Sequence, residues 1–201
     1  MKPNNICEDE DIIKTVSKIN NWLSYCNKEY KLECHLCDDI AETNEIYKNL
    51  TIPSKCPDEK LDNCDHMYVY LRNENKQVLS YIGFKIFKKP ILYIDILWGC
   101  TDKDHRRKGL STIILMIPVI LALDLNIGLI LSDSNELSGP LLEKKFGFIY
   151  NGGPKGTGEY IEELGNLVEW QSSPTSYIDL SDDNNKKKTI RIIKELMKKC
   201  N

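Results

Sequence analysis

The chain has 201 residues, of which 41% are hydrophobic and 28% charged, with a net charge of −3. That length builds one well-buried core and is too short for two ordinary domains, so a single domain over residues 1–201 is expected. The weak acidity excludes a general nucleic-acid binder, which would be strongly basic.

Residues 9–27 place Ile12, Ile13, Val16, Ile19, Trp22 and Leu23 on one face of a helix, which predicts an amphipathic N-terminal extension. Tyr30 to Leu36 alternates like a short strand, and Asp38-Asp39 is placed to cap a helix running to about Leu50. Residues 51–66 hold prolines, cysteines and many charges and predict a loop. Met67–Leu71 and Gln77–Phe87 predict two strands turned through Arg72-Asn73-Glu74-Asn75-Lys76. Lys88-Lys89-Pro90 makes the next turn, and Ile91–Thr101 is a long apolar strand.

Thr112–Leu131 is apolar enough to suggest a membrane span, but it contains Pro118, Asp124, Asn126 and Gly128. A charge in a span costs up to about 3 kcal/mol. The run divides into a helix ending near Leu125 and a strand over Ile127–Leu131, and a helix that short belongs to a core. No membrane partner is expected. A further helix ends in Lys144-Lys145-Phe146-Gly147-Phe148, and Asn151 to Gly158 is glycine-rich. Residues 172–185 read as a linker. Residues 183–201 read as a basic C-terminal helix, with seven Lys or Arg against one Glu over 186–200. A docked helix with a solvated basic face is the expectation, and contact with an acidic ligand the alternative. Three strands joined by tight turns imply an antiparallel meander. The strand, helix and strand over 91–131 imply a parallel crossover. The fold class is therefore α/β, with a mixed, mostly antiparallel sheet flanked by helices.

Eight cysteines are present, and the start, MKPNNICEDEDIIK, is polar and acidic rather than a leader. Reduced thiols in the cytoplasm are expected. Cys34-x-x-Cys37, Cys56 and Cys64-x-His66 form the sharper alternative, a zinc site. Only the first half has the spacing of a structural site, so no metal is expected.

His105-Arg106-Arg107-Lys108-Gly109-Leu110-Ser111 lies between the apolar strand and the apolar helix. The first amides of a helix have no intrahelical partner, and the helix dipole adds positive potential there. Gly109 lets the backbone approach an anion, and Ser111 is small enough not to block it. Two of the chain's four arginines are adjacent here. Asp95 is the one charged residue inside Ile91–Trp98. A carboxylate in a buried strand needs a reason, either as a general base or as a structural group bonded to a neighbouring backbone or to Tyr93.

The spacing Arg106-x-x-Gly109-x-Ser111 resembles motif A of the GNAT superfamily of N-acetyltransferases, which runs Arg or Gln, two residues, Gly, one residue, then Gly or Ala. Serine at the last position is a departure. The downstream strand, Asn135 and the lysine-rich turn ending in Gly147-Phe148 follow in the same order over residues 67–150. The resemblance implies the GNAT fold, with a last hairpin for which Asn166–Gln171 is the candidate strand. It implies acetyl-CoA as cosubstrate and an amine-bearing small molecule or protein as acceptor, and it is compatible with a homodimer. The pantetheine arm would bond the backbone edge at Gly99, Cys100 and Thr101. The pyrophosphate would rest on the amides of Arg107 to Ser111, beside Arg106 and with Asn135 contributing. Asp95 would be the base. The family's tyrosine, four residues before the Gly of Gly-Phe, is here Glu143. This departure leaves Tyr150 or Ser132 as substitutes, or a module that holds CoA without turnover. His105 is expected to be a loop residue.

Overall fold

A computed structural model describes residues 10–26, 30–36, 66–87, 91–132, 134, 138–150 and 176–198. In chain order the elements are α1 (Glu10–Cys26), β1 (Tyr30–Leu36), β2 (His66–Asn73), β3 (Val78–Phe87), β4 (Tyr93–Thr101), a 3-10 turn (Lys103–His105) and α2 (Leu110–Asp124). Then follow β5 (Leu129–Ser132), α3 (Ser138–Phe146), β6 (Ile149–Tyr150), β7 (Ser176–Asp179) and α4 (Asp183–Lys198). The described strands form one mixed sheet in the order β1-β2-β3-β4-β5-β7-β6, with β4 and β5 parallel. The expected class, a mostly antiparallel sheet with helices, is what is found. The chain divides into two compact units, Met1–Lys85 with Trp98–Leu121 and Cys200–Asn201, and Ile86–Leu97 with Ala122–Lys199. β4 contributes its second half to the first unit and its first half to the other.

In the first unit, α1 buries Ile12, Val16, Ile19 and Leu23, one stripe at helical spacing. Ile13 was expected on that face. It sits a quarter-turn away and is 50% exposed. Asn20 binds both backbone groups of Leu32: its Oδ1 accepts from the amide at 2.7 Å and its Nδ2 donates to the carbonyl at 3.0 Å. β1 is a sheet edge, and this side chain satisfies backbone groups that an edge leaves unpaired. The β2–β3 hairpin turns where the sequence predicts it. The Lys76 amide donates to the Asn73 carbonyl at 2.9 Å, Asn73 Oδ1 accepts from the Gln77 amide at 3.0 Å, and Lys76 takes a left-handed φ of 62°.

In the second unit, β5 lies between its partners: Tyr93 to Ile96 pair with Leu129 to Ser132, and Leu129 to Ser132 pair with Asp179 to Ser176. α3 ends because Gly147, at φ 79°, reverses the chain, so that the Gly147 amide bonds the Glu143 carbonyl and the Phe148 amide the Leu142 carbonyl. Phe146 and Phe148 are thereby both buried. The linker expected over 172–185 is corrected: β7 lies inside it. Tyr177 and Ile178 point to opposite faces and both are buried, so a four-residue strand shows no alternation to read. α4 starts at Asp183 because Asp182 caps it, accepting from the Asn185 amide through Oδ1 at 2.8 Å. Its Thr189 and Ile193 are buried, while Lys187, Lys188, Arg191, Lys194 and Lys198 are exposed.

Burial first, and the nearby Asp179 charge second, raise the Tyr177 phenol above its usual 10.0. The folded state therefore holds this proton more tightly than the unfolded chain does. Its contribution is fully present below pH 10 and is lost as the pH rises further. Thermal melts from pH 8 to 11 should show a flatter alkaline decline for Tyr177→Phe than for the parent, and an identical decline would remove this linkage.

No described helix is long and apolar enough to cross a membrane. The helix expected over 38–50, the loop before His66, the turn at 88–90, Asn151 to Gly158 and the candidate strand Asn166–Gln171 lie outside the described residues. So do Asn135 and the cysteines at 37, 56 and 64.

Candidate functional site

Among the described residues β4 pairs with β5 from Tyr93↔Leu129 to Ile96↔Ser132, and β4 itself runs to Thr101. Backbone groups alternate in direction along a strand. The Asp102 amide donates to the Leu79 carbonyl at 2.9 Å, and the Cys100 carbonyl accepts from Ser80 Oγ at 2.9 Å. Residues 100 and 102 therefore face β3, and residues 97, 99 and 101 face the opposite edge. The Cys100 carbonyl, expected to meet the pantetheine arm, is thus turned toward Ser80 on β3. The Thr101 carbonyl faces the right way but already accepts from Arg106 Nε at 3.1 Å. Gly99 lies between residues 97 and 101 and is exposed. A Cβ there would lie 3.4 Å from the Tyr81 carbonyl oxygen, an ordinary contact, so sterics do not demand the glycine.

After Thr101 the chain is wound by short-range bonds. Asp102 Oδ1 accepts from the Asp104 amide and from His105 Nδ1, each at 2.9 Å. His105 is thus a half-buried loop residue held by Asp102. Arg107 and Gly109 both take left-handed φ, 63° and 83°. The Gly109 carbonyl accepts from the amides of Thr112 at 2.9 Å and Ile113 at 3.1 Å, which makes Gly109 the N-cap of α2. The amides of Leu110 and Ser111 are then the first of the helix, without intrahelical acceptors. A Cβ on Gly109 would meet no atom within 4 Å, so space opens in front of those amides. Arg106, Arg107 and Lys108 are exposed around it, and the Leu110 side chain is buried beneath. Amides, dipole, basic side chains and free space together fit a pyrophosphate.

Behind the loop, Ser80 Oγ lies 2.8 Å from Thr101 Oγ1, which lies 2.8 Å from Ser111 Oγ. Ser80 is fully buried and Thr101 nearly so. Spacing alone did not reveal Ser80, because a serine inside a buried strand carries no mark of its partner.

Asp95 is 7% exposed. Its register row is Asp95, Leu131 and Tyr177, and the row two residues before it is Tyr93, Leu129 and Asp179. These rows share one face, where Tyr93, Leu129, Leu131 and Tyr177 form a buried cluster and Phe87 stacks on Tyr93 at 4.6 Å. The surroundings of Asp95 on this face are thus largely apolar and aromatic. Asp95 belongs to the second unit and the loop to the first.

Glu143 is exposed on α3. Tyr150 is half-buried, and its ring packs on Gly139 so closely that a Cβ there would enter the ring. Ser132 is buried in the row Ile96, Ser132, Ser176 and Tyr150, where Ser176 also bonds Ser134 through their hydroxyls. Among the described residues no group of His, Cys, Asp and Glu is arranged to hold a metal ion.

No family model matches the chain, and no curated protein matches it. Similar solved structures include an acetyltransferase of the GNAT family from Staphylococcus aureus, at 14% identity over 90% of this chain and 97% of that one, with a TM-score of 0.45. A glucosamine-6-phosphate N-acetyltransferase from Arabidopsis thaliana is similar at 17% identity over 57% and 88% of the two chains, TM-score 0.44. A ribosomal-protein-alanine N-acetyltransferase from Brucella melitensis is similar at 12% identity over 71% and 96%, TM-score 0.44.

Proposed function

We propose that the chain is an N-acetyltransferase that moves an acetyl group from acetyl-CoA to a primary amine. One observation carries this reading: the strand β4 leads through a short basic turn into a helix N-terminus capped by left-handed Gly109. An extended amide-bearing chain fits the first feature and a pyrophosphate fits the second, and the two are contiguous in the order in which CoA joins them. Bound acetyl-CoA would supply an activated thioester carbonyl.

The chain's own residues divide the remaining work. Gly99 offers an amide and a carbonyl to the pantetheine arm. The amides of Leu110 and Ser111 receive the pyrophosphate, and Arg107 and Lys108 add charge. Arg106 holds the loop to the strand end through the Thr101 carbonyl, so it acts on the anion through the loop's shape. An alkylamine is protonated at neutral pH, with a pKa of about 10.4, and must lose a proton before it attacks. Asp95, on the same strand as Gly99, takes that proton directly or through water.

A second reading, a CoA-binding module without turnover, is favoured by one observation: the position of the expected tyrosine is an exposed Glu143. Isothermal titration with acetyl-CoA and a free-thiol release assay over polyamines, amino acids, aminoglycosides and peptides separate the two. Binding with thiol release supports the enzyme. Binding without release from any amine supports the module, and no binding removes both.

A further inference from the structure

The three hydroxyls behind the loop have a fixed direction. A carbonyl oxygen only accepts, so the contact between Ser80 Oγ and the Cys100 carbonyl consumes the one Ser80 proton. The contact between Ser80 and Thr101 then needs the Thr101 proton, and the contact between Thr101 and Ser111 needs the Ser111 proton. One arrangement alone gives every contact its proton: Ser111 donates to Thr101, Thr101 to Ser80, and Ser80 to the Cys100 carbonyl. The chain begins at the second residue of α2 and ends on the backbone of β4, and its deepest member comes from β3.

Two consequences follow. The Ser111 hydroxyl points its proton inward, so it donates nothing to an anion, and the anion is received by backbone amides. The place of those amides relative to the strand edge is set by a residue that belongs neither to the loop nor to β4. We infer that Ser80 is a positioning residue for the anion-binding turn: its hydroxyl terminates a one-way chain that fixes the amides of Leu110 and Ser111. The inference rests on the proposed function only for the identity of the anion as CoA.

Ser80→Ala removes the terminal acceptor and leaves the Cys100 carbonyl without that donor. Thr101 and Ser111 must then reorient, and the first turn of α2 loosens. Two measurements test this, CoA binding by titration calorimetry and amide hydrogen exchange of the ligand-free protein. CoA affinity should fall about fivefold to tenfold, the scale of one net hydrogen bond. The dependence of affinity on salt should stay unchanged, because no charge is altered. Lys108→Ala should instead lower that salt dependence. Amide exchange at Thr112 and Ile113, which bond the Gly109 carbonyl, should accelerate in Ser80→Ala, while Ser80→Thr, which keeps the hydroxyl, should restore both readouts. Ser80→Ala and Ser111→Ala should combine to less than the sum of their effects, since each cuts the same chain. If Ser80→Ala does not fold, Thr101→Val cuts the middle link and must give the same pattern.

Wild-type exchange at Thr112 and Ile113 in a folded Ser80→Ala or Thr101→Val protein overturns the inference whatever the ligand is. A parent protein that binds pyrophosphate but not CoA removes the CoA reading, and Ser80 is then judged by pyrophosphate affinity and exchange. A parent that binds neither overturns the positioning role.

Discussion

Asp95→Asn should lower turnover by about a hundredfold or more, the usual scale for loss of a general base, and leave acetyl-CoA affinity unchanged. The split between the two readouts is the point. Gly99 and the helix amides would hold the cosubstrate by backbone, and Asp95 lies four residues up the strand from Gly99 on a side-chain face rather than the backbone edge. Asn matches Asp in size and keeps an acceptor, so the packing beside Leu131 survives while the ability to take a proton does not. Asp95 is 7% exposed in the row it shares with Leu131 and Tyr177, so a change of its charge is felt in a largely dry setting. If Asp95 is purely structural, the variant should show a lower melting temperature and a turnover close to the parent's, and the base assignment would be gone. Glu143→Gln serves as the companion measurement. Glu143 is exposed, and this variant should follow the parent across the whole pH range.

Gly109→Glu should abolish measurable CoA binding, and Gly109→Ala should weaken it while leaving some. The two substitutions separate two causes. No atom lies within 4 Å of a Cβ at this position, so the added Cβ clashes in neither variant. Both must hold an L-residue at a φ of 83°, a strain of about 1–2 kcal/mol that either distorts the cap or is carried by the fold. Alanine meets only this. Glutamate also brings a carboxylate into the open space before the amides, where the helix dipole and Arg107 and Lys108 attract it as a rival anion. Calorimetry on the folded variants decides the matter, and unchanged affinity in Gly109→Glu would move the anion elsewhere.

The parts of this fold that could be read in advance are those where a local pattern has one solution. The 72–76 turn, the buried stripe of α1 and the glycine that ends α3 are of this kind. Each depends on residues a few positions apart. Ile13 fell off the expected face because hydrophobicity marks a preference and helical geometry sets the angle. β7 was hidden because a strand buried on both sides loses its period. In the site, spacing marked a glycine and basic residues ahead of a helix, and the structure has Gly109 at a left-handed φ as the cap of α2. It did not show that Arg106 turns back onto Thr101, since spacing says nothing of where a long side chain goes. Nor did it show that Cys100 faces β3, which depends on the pairing partner. Ser80 was out of reach for the same reason: its partners lie twenty and more positions away.

β4 carries two signals of the same period in the same phase. Its odd-numbered residues direct their backbone groups away from β3, and they set the face on which Asp95 lies. Inserting one residue before Asp95 would invert both at once: the carboxylate would turn to the other face and the edge would lose its amide and carbonyl. Inserting two would keep both phases and slide them by about 6.6 Å along the strand. For anyone grafting or lengthening this strand, tolerated insertions come in pairs.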